Sequence, residues 1–143
     1  MKTISLKNIT LAAAFLTCVM VWNMDAQISI VVGKSSTAKA TTAELREIFS
    51  GARTTWQNGN KIQVVDQPET DAGKLFYQKF VEKSFTQVRT QWMKLVLSGQ
   101  ASAPVKCVDD ASVKKAVAEN PNAIGYVSSG SLDGTVKEIG RVE

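Results

Sequence analysis

Short β-branched runs alternate with stretches of helical period from residue 28 onward, and a chain built this way has few folds open to it. Residues 28–32 read as a buried strand stopped by Gly33. Thr41 and Glu44 have capping-box spacing, so a helix starts there, turns Leu45, Ile48 and Phe49 to one side and stops at Gly51. The Asn58-Gly59 turn leads into a strand over 61–65, which Pro68 closes. Thr70 or Asp71 caps a helix to about Glu82 with Phe76 and Phe80 facing the core. Ser84 and Gln87 open another helix, in which Val88, Trp92, Leu95 and Val96 keep helical period up to Gly99. A third strand follows over 105–108. Asp109 or Asp110 then caps a short helix carrying Val113, Ala116 and Val117, which Asn120-Pro121 ends. Residues 123–127 read as a buried strand, 128–134 as a turn region and 135–139 as an edge strand. The expectation is one α/β domain, a mainly parallel sheet with helices on both faces.

The first 26 residues stand apart from this pattern. Lys2 and Lys7 precede an apolar run from Ile9 to Trp22, and Met24-Asp25-Ala26 offers a small residue at a cleavage position. The run is shorter than the ~20 residues that a membrane-spanning helix needs. Residues 1–26 are therefore expected to be a cleavable signal peptide, leaving no stable membrane anchor and a periplasmic domain over 27–143. Cys18 follows Phe15-Leu16-Thr17, a poor lipobox, and the apolar run continues past it, so lipidation is not expected there. A chain of this size suits one compact domain.

The expected mature chain has 15 basic and 12 acidic side chains, scattered rather than clustered. No aromatic-plus-basic stripe is present, which argues against nucleic acid as a partner, while the mild positive balance favours an anionic ligand. Cys107 would be the sole cysteine after cleavage, so no internal disulfide is expected, and histidine is absent altogether. There is no Gly-x-Ser-x-Gly elbow and no carboxylate pair with a recognisable catalytic signature. Asp109-Asp110 reads as a helix cap, Cys107 as inert strand packing, and the carboxylate spacing suggests no metal cage. No catalytic residue, metal or cofactor is expected.

Two segments are candidates for contact with an anion. Gly33-Lys34-Ser35-Ser36 follows a strand, but Ile28 stands where a phosphate loop needs its first glycine. Ser35, Ser36 and Thr37 therefore belong either to a polar surface turn or to a weaker anion-contacting loop. Thr70, Asp71, Ala72 and Gly73 lie at a strand–loop–helix corner, where unpaired amides favour negative charge. Glu69 and Asp71 place carboxylates in that same corner, so ordinary capping and ligand binding both remain open.

Four segments also carry a family resemblance, namely Ala43-Glu44-Leu45-Arg46-Glu47-Ile48-Phe49-Ser50-Gly51, Trp56-Gln57-Asn58-Gly59, Val64-Val65-Asp66-Gln67-Pro68-Glu69 and Asn122-Ala123-Ile124-Gly125-Tyr126-Val127. In this order the chain resembles the phosphate-binding proteins that feed ABC importers, and especially their short single-lobe relatives. The resemblance implies a single-lobe type 2 periplasmic-binding-protein fold, phosphate or a similar oxyanion as ligand, and an ABC importer as partner. Where the two-lobed receptors carry an Arg and then a Ser-Gly-Thr turn, this sequence has Gln67 and Thr70-Asp71-Ala72-Gly73, so the guanidinium and most hydroxyl donors are missing. The function expected is that of an exported, non-enzymatic solute-binding-protein-like domain with weak oxyanion binding. The alternative is a periplasmic protein–protein interaction module, with an envelope protein as partner, that keeps the lobe fold without the ligand.

Overall fold

The computed structural model describes residues 27–143. The expected signal peptide, with Cys18, lies outside the described residues.

Five strands make one sheet: β1 (Ile28–Gly33), β2 (Gln63–Asp66), β3 (Val105–Lys106), β4 (Ala123–Ser128) and β5 (Val136–Val142), in the order β3-β2-β4-β1-β5. β2 runs parallel to both β3 and β4, whereas β1 runs antiparallel to β4 on one side and to β5 on the other. Four of the five strands therefore point one way, and the sheet is mixed because β1 alone is reversed. Alternation of strands and helices cannot reveal this, since the strand after β1 in sequence is not its neighbour in the sheet.

Among the described residues four α-helices accompany the sheet: α1 (Thr42–Ser50), α2 (Asp71–Phe76), α3 (Phe85–Leu97) and α4 (Asp110–Glu119). Each begins where a side-chain oxygen can take an orphan amide. Thr41 and Ser84 form complete capping boxes with Glu44 and Gln87. Thr70 and Asp109 cap α2 and α4 by accepting from the Gly73 and Ser112 amides. The helix expected to reach Glu82 does so, with its second half wound as a π turn over Tyr77–Val81.

Period-two alternation divides the core between the two faces. Ile28, Ile30 and Val32 of β1 pack with Leu45, Phe49, Phe76, Val88 and Trp92 beneath α1, α2 and α3. Val31, Val65 and Val127 point the other way and meet Val113 and Val117 of α4. Gly125 permits that second contact, because a Cβ there would lie 2.8 Å from Val113 Cγ1. On the first face Phe76 stacks on Tyr126 with centroids 3.9 Å apart.

The strand expected over 105–108 is only two residues long, and both are exposed. It lies at the sheet edge, so only one side of its backbone is paired. Cys107, just beyond it, is half-buried rather than enclosed.

Candidate functional site

The reversal of β1 decides where the two candidate segments fall. Gly33 ends β1 beside the start of β4, since Val32 pairs with Ile124. Ser35, Ser36 and Thr37 therefore lie at the end of the sheet where β4 begins. Thr70–Gly73 follow β2, which is parallel to β4, so they lie at the end where β4 finishes. The six residues of β4 separate the two by about 20 Å. The structure does not bring these segments together.

At the first end, Ser35, Ser36 and Thr37 line an open groove of about 400 Å³ with Trp56, Asn58, Asn60 and Asn122. Ser36 is buried and its polar groups are engaged: its amide donates to Gly33 O at 2.9 Å and its hydroxyl accepts from the Ala38 amide. Ser35 and Thr37 are exposed. Trp56 forms one wall, held by a bond from its indole Nε1 to Asn122 O at 3.0 Å. The segment is a polar turn that also edges a groove.

At the second end the Thr70, Gly73 and Lys74 amides are engaged within the corner itself. The Thr70 hydroxyl accepts from the Gly73 amide at 3.0 Å, and the Lys74 amide donates to Thr70 O at 3.0 Å. The Thr70 amide itself donates to Gln67 O at 3.2 Å. Gly73 is required by packing, because a Cβ there would stand 2.0 Å from Gln67 O. Asp71 points to solvent and Ala72 is half-buried.

Gln67 fills the space between this corner and α4. It is almost wholly enclosed, and its amide Nε2 donates to Tyr126 O and to Asp110 Oδ1, both at 2.8 Å. The other oxygen of Asp110 accepts from the Ser128 amide at 3.2 Å and from the Ser131 hydroxyl at 2.7 Å. Three donors, from the residue after β2, the end of β4 and the turn after it, thus converge on one carboxylate of the chain itself. Asp110 is the acceptor for all three.

Next to this network lies a buried carboxylate that sequence reading missed. Asp66 ends β2 and is 7% exposed, with Tyr77 and Tyr126 each donating a phenolic hydrogen bond of 2.5 Å to one of its oxygens. Burial raises its pKa above the usual 3.8, while the two phenols and the Gln67 amide pull the other way. Burial and the neighbouring Asp66 push both phenols well above the ordinary tyrosine value. The one signal in the sequence was an acidic residue directly after two buried valines at a strand end. Asp110 could be seen only as half of a capping pair. Its bond to Gln67 spans 43 residues and has no local signature.

Asp66 also forms part of a groove of about 280 Å³ between α3 and β3, together with Tyr77, Phe85, Arg89, Trp92 and Lys106. Among the described residues no group of three side chains could hold a metal ion, and no helix is long and apolar enough to cross a membrane.

No protein-family model matches the sequence, and no curated protein matches it. Solved structures do match. An ABC-type phosphate transport receptor from Vibrio cholerae superposes with a TM-score of 0.62 at 23% identity, over 80% of this chain and 47% of the receptor. The PstS protein of Borrelia burgdorferi superposes with a TM-score of 0.56 at 14% identity, over 73% of this chain and 42% of its own. The chain has the fold of about half of such a receptor. Within that receptor-type fold, the segments quoted for the resemblance fall on α1, the Trp56–Gly59 turn, β2 with its corner, and β4. The Gln67 corner, where the receptors were expected to carry their Arg, therefore sits at the carboxyl end of a parallel strand. Ligands of open α/β sheets usually bind there.

Proposed function

We propose that this protein is an exported, non-enzymatic, solute-binding-protein-like domain that serves phosphate uptake or sensing in the periplasm and holds free phosphate weakly or not at all. The observation that carries this reading is the Gln67–Asp110–Ser131 network, which closes the ligand corner with the chain's own carboxylate. An incoming phosphate would have to displace Asp110 or sit beside its charge. Three charge-assisted hydrogen bonds, each about 1.5–3 kcal/mol at best, would have to offset at least ~4 kcal/mol of lost freedom. That leaves at most about 5 kcal/mol, and competition from water in an open half-receptor lowers it to about 4 kcal/mol or less, a dissociation constant near 1 mM or weaker. Titration calorimetry of the purified exported protein with inorganic phosphate tests this. Millimolar or absent binding is expected, and micromolar affinity would overturn it.

The same closed corner favours a second reading, an interaction module that keeps the lobe fold and contacts another envelope protein, such as an ABC importer component. An oxyanion ligand that has become superfluous leaves the sheet and helices intact, because the core lies on both faces of the sheet and not at the corner.

A further inference from the structure

The groove edged by Ser35–Thr37 lies at the opposite end of the sheet from the Gln67 corner, and the function proposed above makes no use of it. Its hydrogen-bonding side chains are nearly all uncharged. Lys39 is the one charged residue in the lining, and no carboxylate belongs to it. Glu44, near Gln57, is not part of the lining and is bound by Arg53 at 3.1 Å and by the Thr41 amide. The walls are fixed by the chain itself. Trp56 Nε1 donates to Asn122 O at 3.0 Å, and the Trp56 amide donates to Asn60 O at 2.8 Å. The Asn60 amide donates to Asn58 Oδ1 at 3.0 Å, and Asn60 Nδ2 to Asn122 Oδ1 at 3.3 Å. On the β1 side, Lys137 Nζ donates to Ser36 O. These bonds leave Nδ2 of Asn58 and Asn122 as donors, Asn60 Oδ1 as an acceptor, and the exposed Ser35 and Thr37 hydroxyls able to act as either.

We propose that this groove is a binding site for a neutral saccharide, whose hydroxyls bond to the free amide and hydroxyl groups while an apolar ring face packs against Trp56, Ala38 and Pro121. The mixture of donors and acceptors selects this class. A sugar hydroxyl donates and accepts at once, so adjacent hydroxyls match a lining that offers both. An oxyanion only accepts; it would gain Lys39 and the amide donors but would face Asn60 Oδ1 across the groove. An organic cation would find no carboxylate in the lining. A peptide recognised through its backbone adds to a free strand edge, whereas Ser35–Thr37 and Trp56–Asn60, which wall this groove, lie outside the strands. The groove's volume, about 400 Å³, falls in the range of small-molecule sites, about 300–1,000 Å³. Its fixed walls spare a ligand the cost of ordering them, and its openness to water keeps affinity in the millimolar range.

The test is an NMR titration of the isotope-labelled exported protein with maltotriose, cellotriose, mannotriose and chitotriose, and separately with inorganic phosphate and with tetra-alanine, each to about 10 mM, a range that reads millimolar binding. At least one saccharide should shift the Trp56 indole N–H and the Asn58 and Asn122 side-chain amides in a saturable way, leaving the Trp92 indole unmoved. Asn58→Asp keeps the acceptor for the Asn60 amide and deletes the free donor, so it should weaken that binding about tenfold. Thr37→Val, which removes an exposed hydroxyl, should weaken it several-fold, and Lys39→Gln should change it less than about twofold, because a neutral ligand does not need the charge. Melting temperatures of the three variants should match wild type, and the Thr37 and Lys39 variants carry the test if Asn58→Asp does not fold. Failure of all four saccharides to shift these signals overturns the proposal, as does a shift confined to Trp92. So does a groove that responds to phosphate or tetra-alanine in place of saccharide, or saccharide binding that is lost in Lys39→Gln or untouched by the Asn58 and Thr37 changes. None of these outcomes bears on the weak phosphate binding proposed for the Gln67 corner, whose signals lie at the other end of the sheet.

Discussion

If Asp110 occupies the place of an anion, removing its carboxylate should destabilise the fold and make it responsive to added anions. In Asp110→Ala, Gln67 Nε2, the Ser128 amide and the Ser131 hydroxyl all lose an acceptor. Bonds to a charged acceptor contribute about 1.5–3 kcal/mol each. Asp110 is only half-buried and the Ser128 bond is long at 3.2 Å, so water recovers much of this. A net loss of about 2–3 kcal/mol follows, and for a domain of this size that lowers the melting temperature by roughly 10 °C. Phosphate binding to the vacated donors with a dissociation constant near 1 mM would return about 1.4 kcal/mol at 10 mM. Differential scanning fluorimetry of wild type and variant, with phosphate and with chloride at matched ionic strength, measures both effects. The variant should recover roughly half of its lost melting temperature in phosphate, and wild type should hardly move. A variant as stable as wild type, or phosphate stabilising wild type more than the variant, would refute the reasoning.

Four further outcomes are expected. Gly73→Ala, whose Cβ would meet Gln67 O at 2.0 Å and Pro68 Cα at 2.9 Å, should cost about 3 kcal/mol or more in a urea melt, since backbone on both sides must shift. Asp66 has a pKa raised by burial, so its contribution to stability is fully present below the usual 3.8 and is lost as pH rises through its higher folded value. Asp66→Asn should therefore gain on wild type between acid and neutral pH, and parallel melting curves across that range would count against it. Cys107→Ala should cost about 1 kcal/mol, and the native thiol should react slowly with a thiol reagent because burial, Asp109 and Asp66 all raise its pKa. Intact-mass measurement of periplasmic material should find Gln27 as the first residue; uncleaved chain in the membrane fraction would exclude the signal peptide.

Features with a local cause were legible in the sequence. Capping-box spacing placed the starts of α1 and α3, and the Thr70 and Asp109 caps placed α2 and α4, because one side-chain oxygen reaching an amide three residues away is a matter of sequence distance. The β1 and β4 runs were equally plain, as strands buried on both faces must be apolar throughout. The direction of β1 was not legible, because apolar run length is the same for parallel and antiparallel neighbours. The candidate site suffered for the same reason. Ser35–Thr37 and Thr70–Gly73 each follow a strand, and only the reversal of β1 reveals that they occupy opposite ends of the sheet. Long-range polar pairings were beyond reach too: Asp66 meets Tyr126 across 60 residues and Gln67 meets Asp110 across 43.

That separation bears directly on how this fold could hold an anion. An anion gripped tightly needs donors on several sides with water excluded. Within this chain the donors of the Ser35–Thr37 groove cannot supplement those of the Gln67 corner, since about 20 Å of sheet lies between them. The corner is held by the bond from Gln67 Nε2 to Asp110 and by Gly73, which lets α2 sit tightly against Gln67. Here the Gln67 Nε2, the Ser128 amide and the Ser131 hydroxyl are already engaged within the fold. The large apolar side chains exposed among the described residues lie away from this corner, on α3 and on or just after β3.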